Sequence, residues 1–175
     1  MNTNKAQKEV FNALLLGKGC TSGFFLENNE NNPMFVTTNG YVGYIFQPGS
    51  IMFNVEKIRR IKSIEMKEII CSENKLEPTD DFRVVNRFKN QFAQRLKNKN
   101  YNVFVNTVYL KNFQNPSFYQ KKGRPESPIV VTENLSGTKT DYPVGIVCPI
   151  RIDLPIEYYN DKQVEAAKGE KKNDM

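Results

Sequence analysis

Histidine and tryptophan are absent from this chain of 175 residues, and cysteine occurs only three times. The lack of histidine removes the usual general base and the commonest transition-metal ligand, so Ser-His and Cys-His catalytic triads are excluded within the chain. No GxGxxG or Walker-type loop is present. Enzymes built on carboxylates or lysine remain open, but no residue spacing points to one. We therefore predict a protein that is not an enzyme and has no cofactor, catalytic residue or metal site.

The three cysteines, Cys20, Cys71 and Cys148, are far apart and lack CxxC spacing. A disulfide framework or a zinc site needs cysteines in pairs or clusters, so these residues are predicted to be small buried hydrophobes. Long apolar runs are also missing: none approaches the roughly 20 residues that span a membrane. The first ten residues lack the apolar centre of a signal peptide. We predict a soluble, cytoplasmic protein with no membrane partner.

Acidic residues are missing from one long stretch, Phe82 to Pro125, which carries ten lysines and arginines. The whole chain has a formal net charge of only +6, so the rest of the molecule is net acidic. A concentrated positive field attracts polyanions, which makes nucleic acid the expected partner. The predicted DNA-binding residues are Arg83, Arg87, Lys97, Lys111, Lys121, Lys122 and Arg124.

Apolar periodicity predicts a first helix over Asn4 to Leu16, with Thr3 as its cap and Gly17 at its end. Strands are predicted over Gly23 to Asn28 and over Met34 to Gln47. The dipeptide Asn39-Gly40 inside the second strand is the strongest short hairpin signal, although one strand bent at its glycines stays an alternative.

The segment from Asn54 to Glu77 is ambiguous. Val55, Ile58, Ile61 and Ile64 fit a helix, whereas the part from Ile64 to Cys71 fits a strand equally well. A second helix is predicted over Thr79 to Lys97, because Pro78 precedes it and acidic residues follow at its positive end. Its apolar stripe comprises Val85, Phe88, Phe92 and Leu96. The opposite face, with Arg83 and Arg87, is either a solvated surface or a surface laid against phosphates.

Strands are predicted again over Tyr101 to Asn106, Ser117 to Lys121, Pro128 to Glu133 and Pro143 to Ile152, with a helical turn over Thr107 to Phe113. These five elements are carried by VFVNTVYLKNF, SFYQ, SPIVVTEN and YPVGIVCPIRI. Their order resembles the closing βαβββ unit of the bacterial DNA polymerase III beta sliding clamp. The closing strand matches best, through its hydrophobic-Pro-hydrophobic-Arg-hydrophobic run over 148–152.

The resemblance implies an α+β fold, a clamp-like domain of two βαβββ-type units with antiparallel sheets and helices on one face. It also implies a processivity role in DNA replication, with Lys111 on the helix that faces DNA and a pocket for partner peptides. Pro149, Ile150 and Ile152 occupy the positions that border this pocket. A clamp subunit carries two or three such domains, so a ring of this single-domain chain would be a homo-oligomer of six copies.

The sequence thus predicts one clamp-like domain over residues 1–160, a helical or ambiguous insertion over 54–99, and a charged, disordered tail over 161–175. The favoured function is sequence-independent binding of duplex DNA, with a replication or other protein as a further partner. Two alternatives stay open. One is a single-strand or RNA-binding module that stacks bases on aromatic rings. The other is a protein-interaction module of clamp-like fold that binds no nucleic acid.

Overall fold

The computed structural model describes residues 1–17, 21–28, 31–62, 70, 72–85, 90–122, 125–134 and 141–150. Within these residues there is one α-helix, α1 (Thr3–Leu16). The strands, in chain order, are β1 (Ser22–Phe25), β2 (Met34–Thr37), β3 (Val42–Phe46), β4 (Arg59–Arg60), β5 (Lys75–Val85), β6 (Asn90–Lys97), β7 (Asn102–Asn106), β8 (Pro116–Gln120), β9 (Ile129–Asn134) and β10 (Asp141–Val147).

All ten strands join one mixed sheet in the order β4-β1-β2-β3-β10-β9-β8-β5-β6-β7. Neighbouring strands are antiparallel except β1 and β4, which pair in parallel through Ser22 with Arg59 and Gly23 with Arg60. The predicted α+β fold of two βαβββ-type units is therefore wrong. A clamp domain places helices along a face of its sheets, whereas the described part of this chain has a single α-helix against one ten-stranded sheet.

Helix α1 confirms the first predicted element to within one residue. Its cap is Asn2 rather than Thr3, because the Asn2 side chain accepts a hydrogen bond from the backbone N–H of Lys5 at 3.1 Å. Gly17 ends the helix with a φ of 57°, a left-handed conformation that glycine adopts without steric cost. Ala6 and Val10 are fully buried and fix the helix to the sheet.

The core lies on both faces of the sheet, because successive side chains of a strand point to opposite sides. In β2, Met34 and Val36 belong to the larger cluster, which also takes in α1, while Phe35 belongs to a smaller cluster on its own side of the strand. The same alternation continues in β9, where Val131 joins the larger cluster and Val130 the smaller one. Burial on both faces explains why these strands read as nearly continuous apolar runs.

The hairpin of β2 and β3 confirms the prediction from Asn39-Gly40. The Asn39 carboxamide oxygen accepts hydrogen bonds from the backbone N–H groups of Tyr41 (2.9 Å) and Val42 (3.0 Å). Gly40 has a φ of 78°, which the turn requires and glycine tolerates. The chain therefore reverses at Asn39-Gly40 instead of continuing as one bent strand.

The helix predicted over Thr79 to Lys97 is wrong, because its described residues, 79–85 and 90–97, belong to strands β5 and β6. Strand β6 lies between β5 and β7, the strands before and after it in the chain, and pairs with both. Backbone hydrogen bonding to these two strands overrides the local helical pattern. The supposed apolar stripe also separates: Leu96 is buried, whereas Phe92 is 56% exposed. Residues 86–89, which include Arg87 and Phe88, lie outside the described residues.

The ambiguous segment from Asn54 to Glu77 forms short pieces: a 3₁₀ turn at Val55–Lys57, strand β4, and a 3₁₀ turn at Ser72–Asn74 before β5. Residues 63–69 and 71, and the tail from 151 to 175, lie outside the described residues. Two of the cysteines, Cys20 and Cys71, fall there as well. The third, Cys148, is half-buried, so the prediction of a fully buried side chain does not hold for it.

The strands predicted in the last third are confirmed as β7, β8, β9 and β10 with small shifts of their ends. Where the resemblance implied a helix over Thr107 to Phe113, the chain makes only a 3₁₀ turn, Thr107–Tyr109. Strand β10 ends at Val147, short of the predicted Ile152. The next residues still bond to the sheet, since the Ile150 N–H donates to the Phe104 carbonyl of β7 at 2.8 Å.

This hydrogen bond connects β7, the edge strand of the sheet, to the residues that follow β10, a central strand. The β7 edge of the sheet therefore contacts the chain that leaves its centre. The two ends of β7 lie at different places in the fold: one leads into the β6–β7 turn, and the other leads towards α1.

In the part of the chain that the structure describes, no helix combines the length and the apolar character needed to cross a membrane.

Candidate nucleic-acid interface

An open cleft of about 760 Å³ lies where β5 passes from one neighbour to the next. Strand β5 pairs with β8 only through Lys75 and Leu76, and from Glu77 onward it pairs with β6. The residues that follow β6 and those that follow β8 therefore flank the start of β5. The cleft is lined by Glu73, Lys75, Glu77, Thr79, Lys97, Asn98, Lys99, Asn100 and Lys122.

The charge of this lining is net positive, with four lysines against two glutamates. The two glutamates each hold one lysine: Lys122 Nζ lies 3.3 Å from Glu73 Oε2, and Lys75 Nζ lies 3.5 Å from Glu77 Oε1. All four side chains are between 43% and 73% exposed, so these ion pairs are weak and screened by salt. A phosphate that enters the cleft can therefore replace the carboxylates at little cost.

A tight turn positions the lysines at the β6–β7 end of the cleft. The Asn98 carboxamide oxygen accepts from the backbone N–H groups of Asn100 (2.8 Å) and Tyr101 (3.1 Å), and the Asn98 N–H donates to the Tyr101 carbonyl at 3.1 Å. Asparagine favours turns through such bonds to nearby backbone. The run of asparagines and lysines over 97–100 is therefore a turn signal that the helical interpretation of the sequence overlooked.

A buried glutamine positions the other side of the cleft. Gln120 ends β8 and is completely buried, and its side-chain amide donates to the carbonyls of Pro125 (2.9 Å) and Ser127 (2.6 Å). The Gln120 side chain thus connects the end of β8 to the residues that precede β9. Lys121 and Lys122 are the first two residues of the connection between these strands. Because burial makes these hydrogen bonds costly to lose, Gln120 fixes where these two lysines leave the sheet.

Below the cleft, Arg95 is 8% exposed and points its guanidinium at Thr79. Its Nε–H donates to Thr79 Oγ1 at 2.9 Å, and this hydroxyl in turn donates to the Arg95 carbonyl at 3.2 Å. The pair holds β5 and β6 together beside the cleft, whose lining includes Thr79. The sequence placed Arg95 in the acid-free stretch but did not single it out.

The predicted contact residues are brought together only in part. Lys97 and Lys122 line the cleft, and Lys121 is exposed directly beside Lys122. The structure adds Lys75 and Lys99, of which Lys75 precedes the acid-free stretch and joins the site only through strand pairing. Arg83 belongs to β5 by its backbone, whereas Arg87 and Arg124 lie outside the described residues.

Lys111 lies apart from the cleft, at the opposite end of β7. Its Nζ is 2.8 Å from Glu9 Oε1 on α1. The other donors to this carboxylate are the Tyr44 hydroxyl (2.7 Å) and the Asn112 amide (3.1 Å), which also donates to the Tyr44 oxygen at 2.8 Å. Tyr44 and Asn112 are buried, so a polar network joins α1, β3 and the chain after β7.

This network sets the ionisation of its members. Burial raises the pKa of Glu9, but hydrogen bonds from Lys111, Tyr44 and Asn112 together outweigh it, and the pKa lies below its ordinary value of 4.5. Burial, and then the hydrogen bond to Glu9, raise the pKa of Tyr44, so its phenol stays protonated. Glu9 therefore stabilises the fold as a carboxylate.

A pH dependence of stability follows for Glu9→Gln. A carboxyl whose pKa is depressed by folding contributes stability above its unfolded pKa and loses it as the pH falls through the folded value. We expect the variant to be less stable than the parent protein at pH 7 and the difference to shrink towards pH 3. Urea unfolding at both pH values measures it, with the exposed Glu56→Gln as a control expected to change neither curve. A difference that is constant with pH would contradict the network.

The predicted peptide-binding residues are placed only in part. Pro149 and Ile150 are half-buried, and Ile152 lies outside the described residues. Near them the Cys148 N–H donates to the Tyr41 carbonyl at 2.7 Å, and the Tyr41 ring stacks on Tyr109 with 5.9 Å between centroids. Tyr41 is 55% exposed. This corner of the molecule therefore presents an aromatic surface to solvent.

Three aromatic residues bear on the alternative of base stacking. Phe104, Phe118 and Tyr119 are all buried and belong to the core. Rings in the core cannot stack on bases, so single-strand binding would need other aromatics. Among the described residues of the acid-free stretch, Phe92 on β6 is a large aromatic ring that is exposed to solvent.

Comparison of the chain with protein-family models, with curated proteins and with solved structures finds no match. No relative therefore tests the resemblance to the sliding clamp, which stays a prediction from the sequence.

Proposed function

We propose that the protein is a non-enzymatic nucleic-acid-binding protein that holds duplex DNA by its phosphates, without reading bases. The observation that carries the proposal is the convergence of Lys75, Lys97, Lys99 and Lys122 on one open cleft. These lysines come from three separate segments of the chain, so the fold concentrates positive charge beyond what the sequence does. Such a site supplies affinity from counterion release, which depends on charge and not on sequence.

Lysine suits this role because its ammonium is a flexible point charge that tracks a backbone, whereas bidentate base recognition favours arginine. The burial of Phe104, Phe118 and Tyr119 supports backbone contacts over base stacking. We propose no replication role, because that expectation came from a clamp fold that the chain does not have. A cytoplasmic location is part of the proposal, as it gives the protein access to nucleic acid.

Protein docking at Pro149 and Ile150 is a second proposal. It is supported by the exposed Tyr41 ring and by the exposed Val108, 58% accessible, on the turn after β7. Aromatic residues are enriched at interfaces because they bury large area at low entropic cost. This surface and the lysine cleft involve different residues, so one can be tested without the other.

The test of the first proposal is a salt titration of binding to a labelled duplex. With about four phosphate contacts, log K is expected to fall with log[salt] at a slope of about −3 to −4. A single strand of the same length should bind more weakly. A slope near zero would contradict phosphate binding altogether. Tighter binding to the single strand would contradict the choice of duplex and direct attention to Phe92.

A further inference from the structure

A second basic site lies in a groove of about 330 Å³ between α1 and the chain after β7. It is lined by Lys5, Lys8, Glu9, Asn12, Lys111 and Asn112. The four helical residues share one face of α1, because positions three, four and seven apart lie above one another. Three lysines against one glutamate leave this groove net positive.

The single acid of the groove is already occupied. Both oxygens of Glu9 accept hydrogen bonds, from Tyr44 on one side and from Lys111 and Asn112 on the other. Lys5 and Lys8 are exposed, and no carboxylate among the described residues lies within ion-pair distance of either. These two lysines lie one helical turn apart, and neither forms an ion pair with a carboxylate of the described residues.

Lys111 is held ready at the edge of the same groove. Its ammonium has three N–H donors, and the contact with Glu9 at 2.8 Å uses one of them. Glu9 itself is held by the buried Tyr44 and Asn112, so the direction of Lys111 is set before any ligand arrives. Preorganised donors bind more tightly, because less conformational freedom is lost on binding.

We propose that this groove binds a small phosphate-bearing anion, with pyrophosphate as its simplest representative. Lys5, Lys8 and Lys111 would contact the phosphate oxygens, and the Asn12 amide would donate a further hydrogen bond. A volume of about 330 Å³ admits a diphosphate but not a duplex. The site lies at the other end of β7 from the cleft and does not depend on the binding of DNA there.

The experiment is a titration of the full-length, ¹⁵N-labelled protein with pyrophosphate, followed by NMR. We expect saturable shifts of the amides of Lys5, Lys8, Asn12 and Lys111. The variant Lys5→Gln/Lys8→Gln should weaken binding about tenfold, since two charge-assisted contacts are lost. Lys57→Gln, which alters an exposed lysine outside the groove, should leave binding unchanged.

Three results would overturn the proposal. Shifts that rise linearly without saturation, spread over all exposed lysines, would mean general charge attraction only. Equal weakening by Lys57→Gln and by the double variant would mean the same. Saturation at the residues of the lysine cleft, with α1 unaffected, would also reject this site while supporting the cleft. All the altered side chains are exposed, so each variant is expected to fold. Circular dichroism of each variant checks this expectation.

Discussion

Replacement of Phe118 by alanine is expected to lower the free energy of unfolding by about 3–5 kcal/mol, the usual cost of truncating a buried aromatic ring. Phe118 is 1% exposed and lies in β8, where Leu76 and Val131 are its partners on the two neighbouring strands. Its loss opens a cavity at the point where β5 joins the rest of the sheet. Since small domains are stable by about 5–15 kcal/mol, the effect is a large fraction of the total.

Phe92→Ala is the matched control, because it makes the same chemical change at a site that is 56% exposed. Its effect on urea unfolding is expected to stay within about 0.5 kcal/mol. The helix predicted from the sequence over 79–97 places Phe92 in its apolar stripe, so it requires a large loss of stability for Phe92→Ala. Similar losses for the two variants would therefore contradict the strand assignment of β6.

The second large effect is expected in DNA binding. The double reversal Lys97→Glu/Lys122→Glu should lower duplex affinity at low salt about 100-fold, because each site exchanges an attraction for a repulsion. The two lysines enter the cleft from different segments, the end of β6 and the connection that follows β8. Fluorescence anisotropy with a short duplex measures the change, and thermal melting checks that the variant is folded.

The matched control is Lys57→Glu/Lys62→Glu, which changes the net charge by the same amount at two exposed positions outside the cleft. We expect this control to lose only a few-fold, through the weaker long-range field. If both double variants lose affinity equally, the protein attracts DNA by its net charge and the cleft is not the contact surface. Lys111→Glu extends the test to the predicted contact that the fold places at the other end of β7.

Short sequence patterns were sufficient to predict the elements whose conformation depends mainly on neighbouring residues. Helix α1 follows from its periodicity and from Gly17, and the β2–β3 hairpin follows from Asn39-Gly40. Strands β7 to β10 follow from their β-branched and aromatic content. Strands β5 and β6 could not be predicted in this way, since their pairing with β8 and β7 decides their conformation.

The same distinction applies to the candidate sites. The acid-free stretch indicated a basic surface, and two of its predicted contact residues, Lys97 and Lys122, line the same cleft. Sequence order alone could not show that Lys75 joins them, because this depends on the register of β5 against β8. Nor could it show that Lys111 lies apart from these lysines. Strand β7 runs between the cleft at one of its ends and Lys111 beyond the other.

The pairing of β3 with β10 has a consequence for folding. It joins Gly43 to Ile146, so the middle of the sheet closes only after nearly all of the described chain has been synthesised. Such high contact order slows folding, because chain closure costs entropy before the contact stabilises it. Until then the apolar strand β3 presents an open edge, on which other nascent chains can pair and aggregate. Completion and pairing of β10 therefore remove this aggregation-prone edge.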